Sequence, residues 1–300
     1  MRRLPHHVLL HLLIFFFLAP LLIQGCARPV LQTLPASEQE IASALESFAR
    51  YQEISASACS CCLDAEADAA LFVSGWFSDR TAKLSGYLQA MEPAYIKFVA
   101  INPLGQPMYI FMTNGSMFKN FNVFEEKAYL GSVHSETYTK FAPSGFEPGF
   151  AYYWLTGRLS PGDIQVKAVM SDKVRGRFWL QIHHADEGAE SMVLFDPGEM
   201  VILRHVLQDV QGRHLLDIVY AEHQTLSENK TKDSDTGPGV LSPADREKEL
   251  CRVPALITVA SDTGAKRIEL RLHAFLDGVS FSEDDFHLEI PDNFEQLLVR

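Results

Sequence analysis

Apolar and polar residues alternate along most of the chain. Ala82, Leu84, Gly86, Leu88 and Ala90 are separated by Lys83, Ser85, Tyr87 and Gln89. Ile164, Val166, Ala168 and Met170 alternate with Gln165 and Lys167, and Phe178, Leu180 and Ile182 with Arg177 and Gln181. The cleanest run is late: Ile268, Leu270, Leu272 and Ala274 alternate with Arg267, Glu269, Arg271 and His273. A period of two puts one set of side chains on an apolar face and the other in water. Each stretch therefore predicts a strand, and Tyr95–Ile101, Met108–Met112, Val201–Leu207 and Leu215–Tyr220 extend the series. Such strands joined by short turns predict one antiparallel sheet. Glu38 to Tyr51 has a helical period instead, with Ile41, Leu45, Phe48 and Ala49 on one face and a Ser37/Glu40 capping box. A second helix is expected around Gly149–Thr156, capped by Gly157. A sheet with one apolar face must cover it, and these two helices are the available cover. The expected class is α+β, mainly β: one curved antiparallel sheet in a single domain over 37–300. A polar stretch at 224–249, with Gly237-Pro238-Gly239 inside it, reads as a mobile insert.

The first residues follow neither period. Arg2 and Arg3 precede an apolar run from Val8 to Ile23, which ends at Ile23-Gln24-Gly25-Cys26. A basic start, an apolar run and a small-residue exit are the parts of a secretory signal. A membrane-spanning helix needs ~20 apolar residues, and His11, Pro20 and Gln24 interrupt this run. The exit resembles the lipobox cut by the bacterial lipoprotein signal peptidase, with Gln24 departing from the usual small or β-branched residue. The resemblance implies that 1–25 is removed, that Cys26 carries the lipid anchor (palmitate among its acyl chains), and that 26–36 is a tether. Ala27 after the cysteine implies sorting to the outer membrane.

Composition narrows the partners. The formal charge is −12, and loss of Arg2 and Arg3 makes it −14. Phosphate backbones need clustered Lys and Arg, so a nucleic-acid partner is excluded. Cys59, Cys61, Cys62 and Cys251 leave three readings open: a metal site, a disulfide in an oxidising compartment, or small buried thiols. No Gly-x-Ser-x-Gly elbow is present. Adjacent His183 and His184 would face opposite sides of a strand and read as solvated strand-face residues. No catalytic residue, metal site or cofactor is expected, and the chain is read as a non-enzyme.

Two short motifs point to a family. Tyr95-Ile-Lys-Phe-Val-Ala-Ile-Asn102-Pro103-Leu104-Gly105, leading into an apolar strand, resembles the Asn-Pro-Leu-Gly turn of the outer-membrane lipoprotein receptor LolB and the wider LolA/LolB-like group. Phe150-Ala-Tyr-Tyr-Trp154-Leu-Thr-Gly157 resembles that family's aromatic helix, of the form Leu-x-x-Trp-Leu-x-Gly. The resemblance implies an unclosed β-barrel with a helical lid over an apolar cavity. The cavity would receive lipoprotein acyl chains or phospholipid, from a LolA-type periplasmic carrier in the receptor's case. It implies a monomer on the periplasmic face of the outer membrane that assists lipoprotein or lipid insertion. Pro103, Leu104 and Gly105 would form a membrane-inserting turn. Phe98, Phe111, Trp154, Phe178, Trp179 and Leu180 are the candidate cavity lining. The departures are a longer chain and the cysteine cluster, which has no family role. The alternative is a structural accessory lipoprotein of an envelope complex, with a packed core.

Overall fold

The computed structural model describes residues 31–299, apart from 32, 58–61, 75–79, 137, 139–147, 186–188, 210, 226–251, 262–263 and 277–278. The signal segment, Cys26, Cys59, Cys61, Cys251 and nearly all of the expected insert lie outside the described residues. Gln224 and Thr225, expected to open that insert, instead end a strand.

In chain order the strands are β1 (Thr33–Pro35), β2 (Cys62–Val73), β3 (Arg80–Met91), β4 (Tyr95–Ile101), β5 (Pro107–Thr113), β6 (Met117–Asn122), β7 (Lys127–Ser132), β8 (Ile164–Asp172), β9 (Phe178–His184), β10 (Ala189–Asp196), β11 (Val201–Gln208), β12 (His214–Thr225), β13 (Arg252–Ser261), β14 (Lys266–His273) and β15 (Glu295–Val299). Helix α1 spans Glu38–Ser57 and helix α2 spans Ala151–Leu155, preceded by a single 3₁₀ turn at Pro148–Phe150. Among the described residues all fifteen strands belong to one sheet, ordered β1-β8-β9-β10-β11-β12-β13-β14-β2-β3-β4-β5-β6-β7-β15. The sheet is not closed. Two meanders, β2 to β7 and β8 to β14, are sewn together where β14 pairs antiparallel with β2. β15 lies parallel on β7. Thr33–Pro35, expected from sequence to be part of a tether, pairs with β8.

One face of the sheet curls around the helices. A single cluster unites Leu63, Leu88, Leu180, Val193, Ile218 and Ile257 with Phe48 and Tyr51 of α1 and Tyr152 and Trp154 of α2. α2 touches both β4 and β13. Phe48 packs edge-on against Phe195, with ring centroids 5.5 Å apart, a geometry favoured by the ring quadrupoles. The capping box forms as expected: Ser37 N–H donates to Glu40 Oε2 at 2.8 Å and Glu40 N–H to Ser37 Oγ at 3.3 Å. The buried stripe of α1 is nevertheless rotated from the expected one. Ala44, Phe48, Tyr51 and Ile54 are buried, while Leu45 is 40% exposed. The helix runs past Tyr51 to Ser57, and its phase is held by Phe195, which meets Phe48, and by the Gly157 carbonyl, which accepts from Tyr51.

A second correction lies in β8. The register shifts between Val166 and Ala168, a bulge that reverses the alternation beyond it. Ile164, Val166 and Val169 pack on the helix-facing cluster, whereas Met170 joins Trp179, Met192 and Val206 on the opposite face, under Leu31. Gly86 in β3 marks a close approach between strands. A Cβ there would fall 2.0 Å from the Val99 carbonyl oxygen of β4, so only glycine fits.

Candidate functional site

The helix-facing surface gathers most of the expected lining. Trp154, Phe178 and Leu180 are buried in the main cluster, and half-buried Phe98 packs against it. Phe111 stands opposite Phe98 across β4 and β5 and stacks on Phe118 at 6.5 Å. Trp179 does not belong to this group. It sits between Phe178 and Leu180 on one strand, so the period of two turns it outward. There its indole N–H donates to Asp172 Oδ1 at 3.0 Å and the Arg204 guanidinium lies over its ring. The helices sit closed on this surface: Leu180, Ile182, Val193 and Ile218 show no exposure.

Two histidines, His184 and His205, lie within the apolar cluster's face, and for His184 this corrects the expectation of a solvated residue. His184 stands opposite Ile164 on β8, and its Nε2 is 3.0 Å from Ser191 Oγ. His205, opposite Val193, is 3% exposed, and neither ring nitrogen has a hydrogen-bond partner among the described residues. Burial drives its pKa down to about 3, helped by neighbouring His184, whose own pKa is lowered by burial. Both are therefore neutral at ordinary pH. His183, on the other side of the same strand, meets Glu190 Oε1 at 2.8 Å. Cys62 is buried and disulfide-bonded, with its partner outside the described residues, so the disulfide reading holds for it. Among the described residues no three His, Cys, Asp or Glu side chains converge as for a metal ion.

The Asn102-Pro103-Leu104-Gly105 hairpin turn is built by its own sequence. Pro103 pre-sets the turn's first corner, and Gly105 takes φ +80°, which glycine reaches without steric cost. Gly105 N–H donates to Asn102 O at 2.8 Å. The Asn102 side-chain oxygen accepts from Leu104 N–H at 2.9 Å and Gln106 N–H at 3.0 Å. Pro103, Leu104 and Gly105 are exposed, Leu104 by 84% at the tip, while Asn102 is half-buried. The neighbouring β6–β7 turn carries Phe124, which is 74% exposed. Val123 N–H donates to Met108 O at 2.9 Å, which sets that turn beside the start of β5 and hence beside the Leu104 hairpin. Phe124 is not among the residues expected from sequence. Its signal is weaker than that of Leu104: of its flanking residues only Asn122 is a turn former, and the positive φ of Glu126 shows only in the structure.

A cleft of about 450 Å³ opens between the C-terminal half of α1 and the 158–164 segment. Tyr51 hydroxyl donates to Gly157 O at 3.0 Å, tying the helix to the turn that ends α2. Gly157 has φ +68°, as its role of helix terminator requires. Arg158 follows it, 6% exposed, with its guanidinium over the Tyr152 ring and one nitrogen 3.9 Å from Glu92.

Comparison with known proteins bears on the fold alone. No family model and no curated protein matches the chain. Solved structures do match. A putative outer membrane lipoprotein-sorting protein domain from Vibrio parahaemolyticus superposes with TM-score 0.51 at 13% identity, over 81% of this chain and 97% of that one. A DUF1329 family protein from Desulfovibrio piger gives 0.50 at 10% identity, over 83% and 97%. A LolA superfamily protein from Nitrosomonas europaea gives 0.48 at 11% identity, over 79% and 97%. The first two establish the fold as that of lipoprotein-sorting and DUF1329 domains: mainly β, with an unclosed sheet wrapped on helices.

Proposed function

We propose that the chain is an envelope lipoprotein, anchored through lipid on Cys26, that binds acyl chains on the helix-facing side of its sheet. It would then pass lipid or lipoprotein into the outer membrane from the periplasmic face. One observation carries the reading: a broad apolar face on an unclosed sheet, roofed by two helices that rest on it through side-chain packing. Displacing α1 uncovers Leu180, Val193 and Ile218, and each methylene of a bound chain buried there contributes ~0.8 kcal/mol. Transfer follows from differential burial, with no covalent step or cofactor. The fold shared with the Vibrio lipoprotein-sorting domain supports a lipoprotein-handling role. The LolB-like turn supports membrane contact at Leu104, with Phe124 beside it. Full burial of a leucine side chain in lipid contributes ~1.5–3 kcal/mol.

A scaffold reading has one observation in its favour. The interior is filled by α1 and α2 side chains, and a core packed at crystal-like density admits no ligand. The two readings separate in one assay. The full chain, held by its own anchor in phospholipid vesicles, is mixed with donor vesicles carrying a fluorescent triacylated lipopeptide, and transfer is followed by energy transfer between labels. The proposal expects transfer faster than with protein-free acceptors, and slowed by Leu104→Glu with the fold intact. Transfer unchanged by the protein would sink the acyl-binding role and leave the scaffold.

A further inference from the structure

One row of residues on the helix-facing surface runs straight across six strands. Leu180 of β9, Val193 of β10, His205 of β11, Ile218 of β12, Val259 of β13 and Ile268 of β14 stand opposite one another in turn. All but His205 belong to the apolar cluster or pack against it. Strands spaced ~4.8 Å apart make the row about 24 Å long. That is enough for an acyl chain that fills one leaflet of a bilayer whose core is ~30 Å thick. The row includes Leu180, Val193 and Ile218, the residues that displacement of α1 would uncover. His205 is its one polar member. Its ring is buried, and neither nitrogen has a hydrogen-bond partner among the described residues. His184 lies beside it, with ring centroids 6.4 Å apart, but His184 Nε2 is engaged with Ser191 Oγ at 3.0 Å. Polar atoms buried without partners are costly and rare in folded proteins. Burial keeps the ring uncharged, with a pKa of about 3, so it offers one N–H donor and one bare acceptor nitrogen. Two residues beyond Ile218, on the same face of β12, the Tyr220 hydroxyl is likewise buried with no hydrogen bond among the described residues.

We infer that His205 is a hydrogen-bonding position within the acyl path and takes a neutral hydroxyl carried by the ligand. A hydroxyl both donates and accepts, so it can answer either ring nitrogen. A plain hydrocarbon chain answers neither. A carboxylate or phosphate brings a charge that an uncharged ring in an apolar row cannot offset. The inference rests on the acyl-binding reading and adds a class of ligand to it: acyl lipids with a free hydroxyl are preferred over the same chains without one. The hydroxyl can sit on a glycerol head or on the chain itself.

The test is photo-crosslinking of the full chain in phosphatidylcholine vesicles with three uncharged probes. Each is a diazirine-bearing palmitoyl chain: the methyl ester, the glycerol monoester, and the methyl ester of hydroxypalmitic acid. Labelled peptides are mapped by mass spectrometry. A hydroxyl-bearing probe is expected to label β9 to β12 about fivefold more than the plain methyl ester, as one net hydrogen bond would give. A lead for the glycerol monoester places the hydroxyl in the head, and a lead for hydroxypalmitate places it on the chain. His205→Leu should remove the preference and leave labelling by the plain ester unchanged, which a merely structural role for the ring does not predict. His205→Gln, whose amide both donates and accepts, should restore part of the preference. Equal labelling by all three probes in the unaltered chain overturns the site and leaves acyl binding standing, whether or not either variant folds. A preference that survives His205→Leu overturns the assignment to His205. Loss of plain-ester labelling in that variant overturns it in favour of a structural role. No labelling by any probe overturns both this inference and the function beneath it.

Discussion

From β8 to β14 the core side chains, Leu180, Val193, Ile218 and Leu272 among them, point toward α1 and α2. From β5 to β7 the arrangement is inverted. Met112, Phe121 and Ala128 point away from the helices and are covered by Leu288, Ile290 and Phe294 of the C-terminal segment, while Phe111 on the helix side stays half-buried. Lys97 and Lys119 fasten that segment by donating to the Asp285 and Leu288 carbonyls. The strands are alike in pattern. What differs is the element that covers them, so the covering segments rather than the strands decide which face is the inside.

Removing the roof should cost most. Phe48→Ala empties a fully buried aromatic site and is expected to lose about 3–5 kcal/mol in urea unfolding. A loss below about 1 kcal/mol would mean that the roof does not hold the β8–β14 half. Acid should reach the same half next. The folded-state pKa of His205 lies at about 3, below its ordinary 6.5, so the unfolded chain takes up the proton first. Its contribution is whole above pH 6.5 and is lost as pH falls toward 3, by about 1.4 kcal/mol per unit. His205→Leu should flatten that slope and raise stability at neutral pH by roughly 1–2 kcal/mol, since it removes buried polar atoms that have no hydrogen bond among the described residues. Unchanged acid sensitivity in the variant would contradict the burial. Gly86→Ala, between the two regions, should cost about 1–3 kcal/mol through the clash with Val99, read as a lower melting temperature. In the C-terminal segment that covers β5 to β7, Phe294→Ala removes a half-buried ring and should cost about 1–2 kcal/mol, with amide exchange rising first in β5 to β7. Leu104→Glu should leave stability within about 0.5 kcal/mol. A larger loss would show that the tip packs inward.

Strand β14, the N-terminal cap of α1, the end of the aromatic helix at Gly157 and the exposed Leu104 tip are all legible in the sequence, because each depends on residues close together in the chain. What escapes depends on distant partners. The phase of α1 follows from Phe195 and Gly157, which receive Phe48 and Tyr51. Met170 changes sides through a one-residue bulge that leaves no mark in a hydropathy pattern. Trp179 shares aromatic character with Phe178, although alternation assigns it to the other face. His205 has the look of a surface residue because its neighbours Arg204 and Gln208 are polar, yet alternation inward outweighs the cost of its ring nitrogens. β15 carries no period-two signal at all. It becomes a strand because β7 offers an edge.

The seam between β14 and β2 bears on the order of assembly. Each meander is a run of hairpins whose partners follow one another along the chain, so each can form from local encounters. The seam instead sets Leu272 opposite Ala67, and closing so long a loop is the slow kind of step. On the proposed route of export the β2–β7 meander emerges first and waits, with the β2 edge unpaired, until β14 arrives. The chain is most vulnerable at that moment, since an open strand edge is a template for pairing with other chains. Protection of that edge before the C-terminal third has crossed the membrane is what a periplasmic holding factor would have to supply.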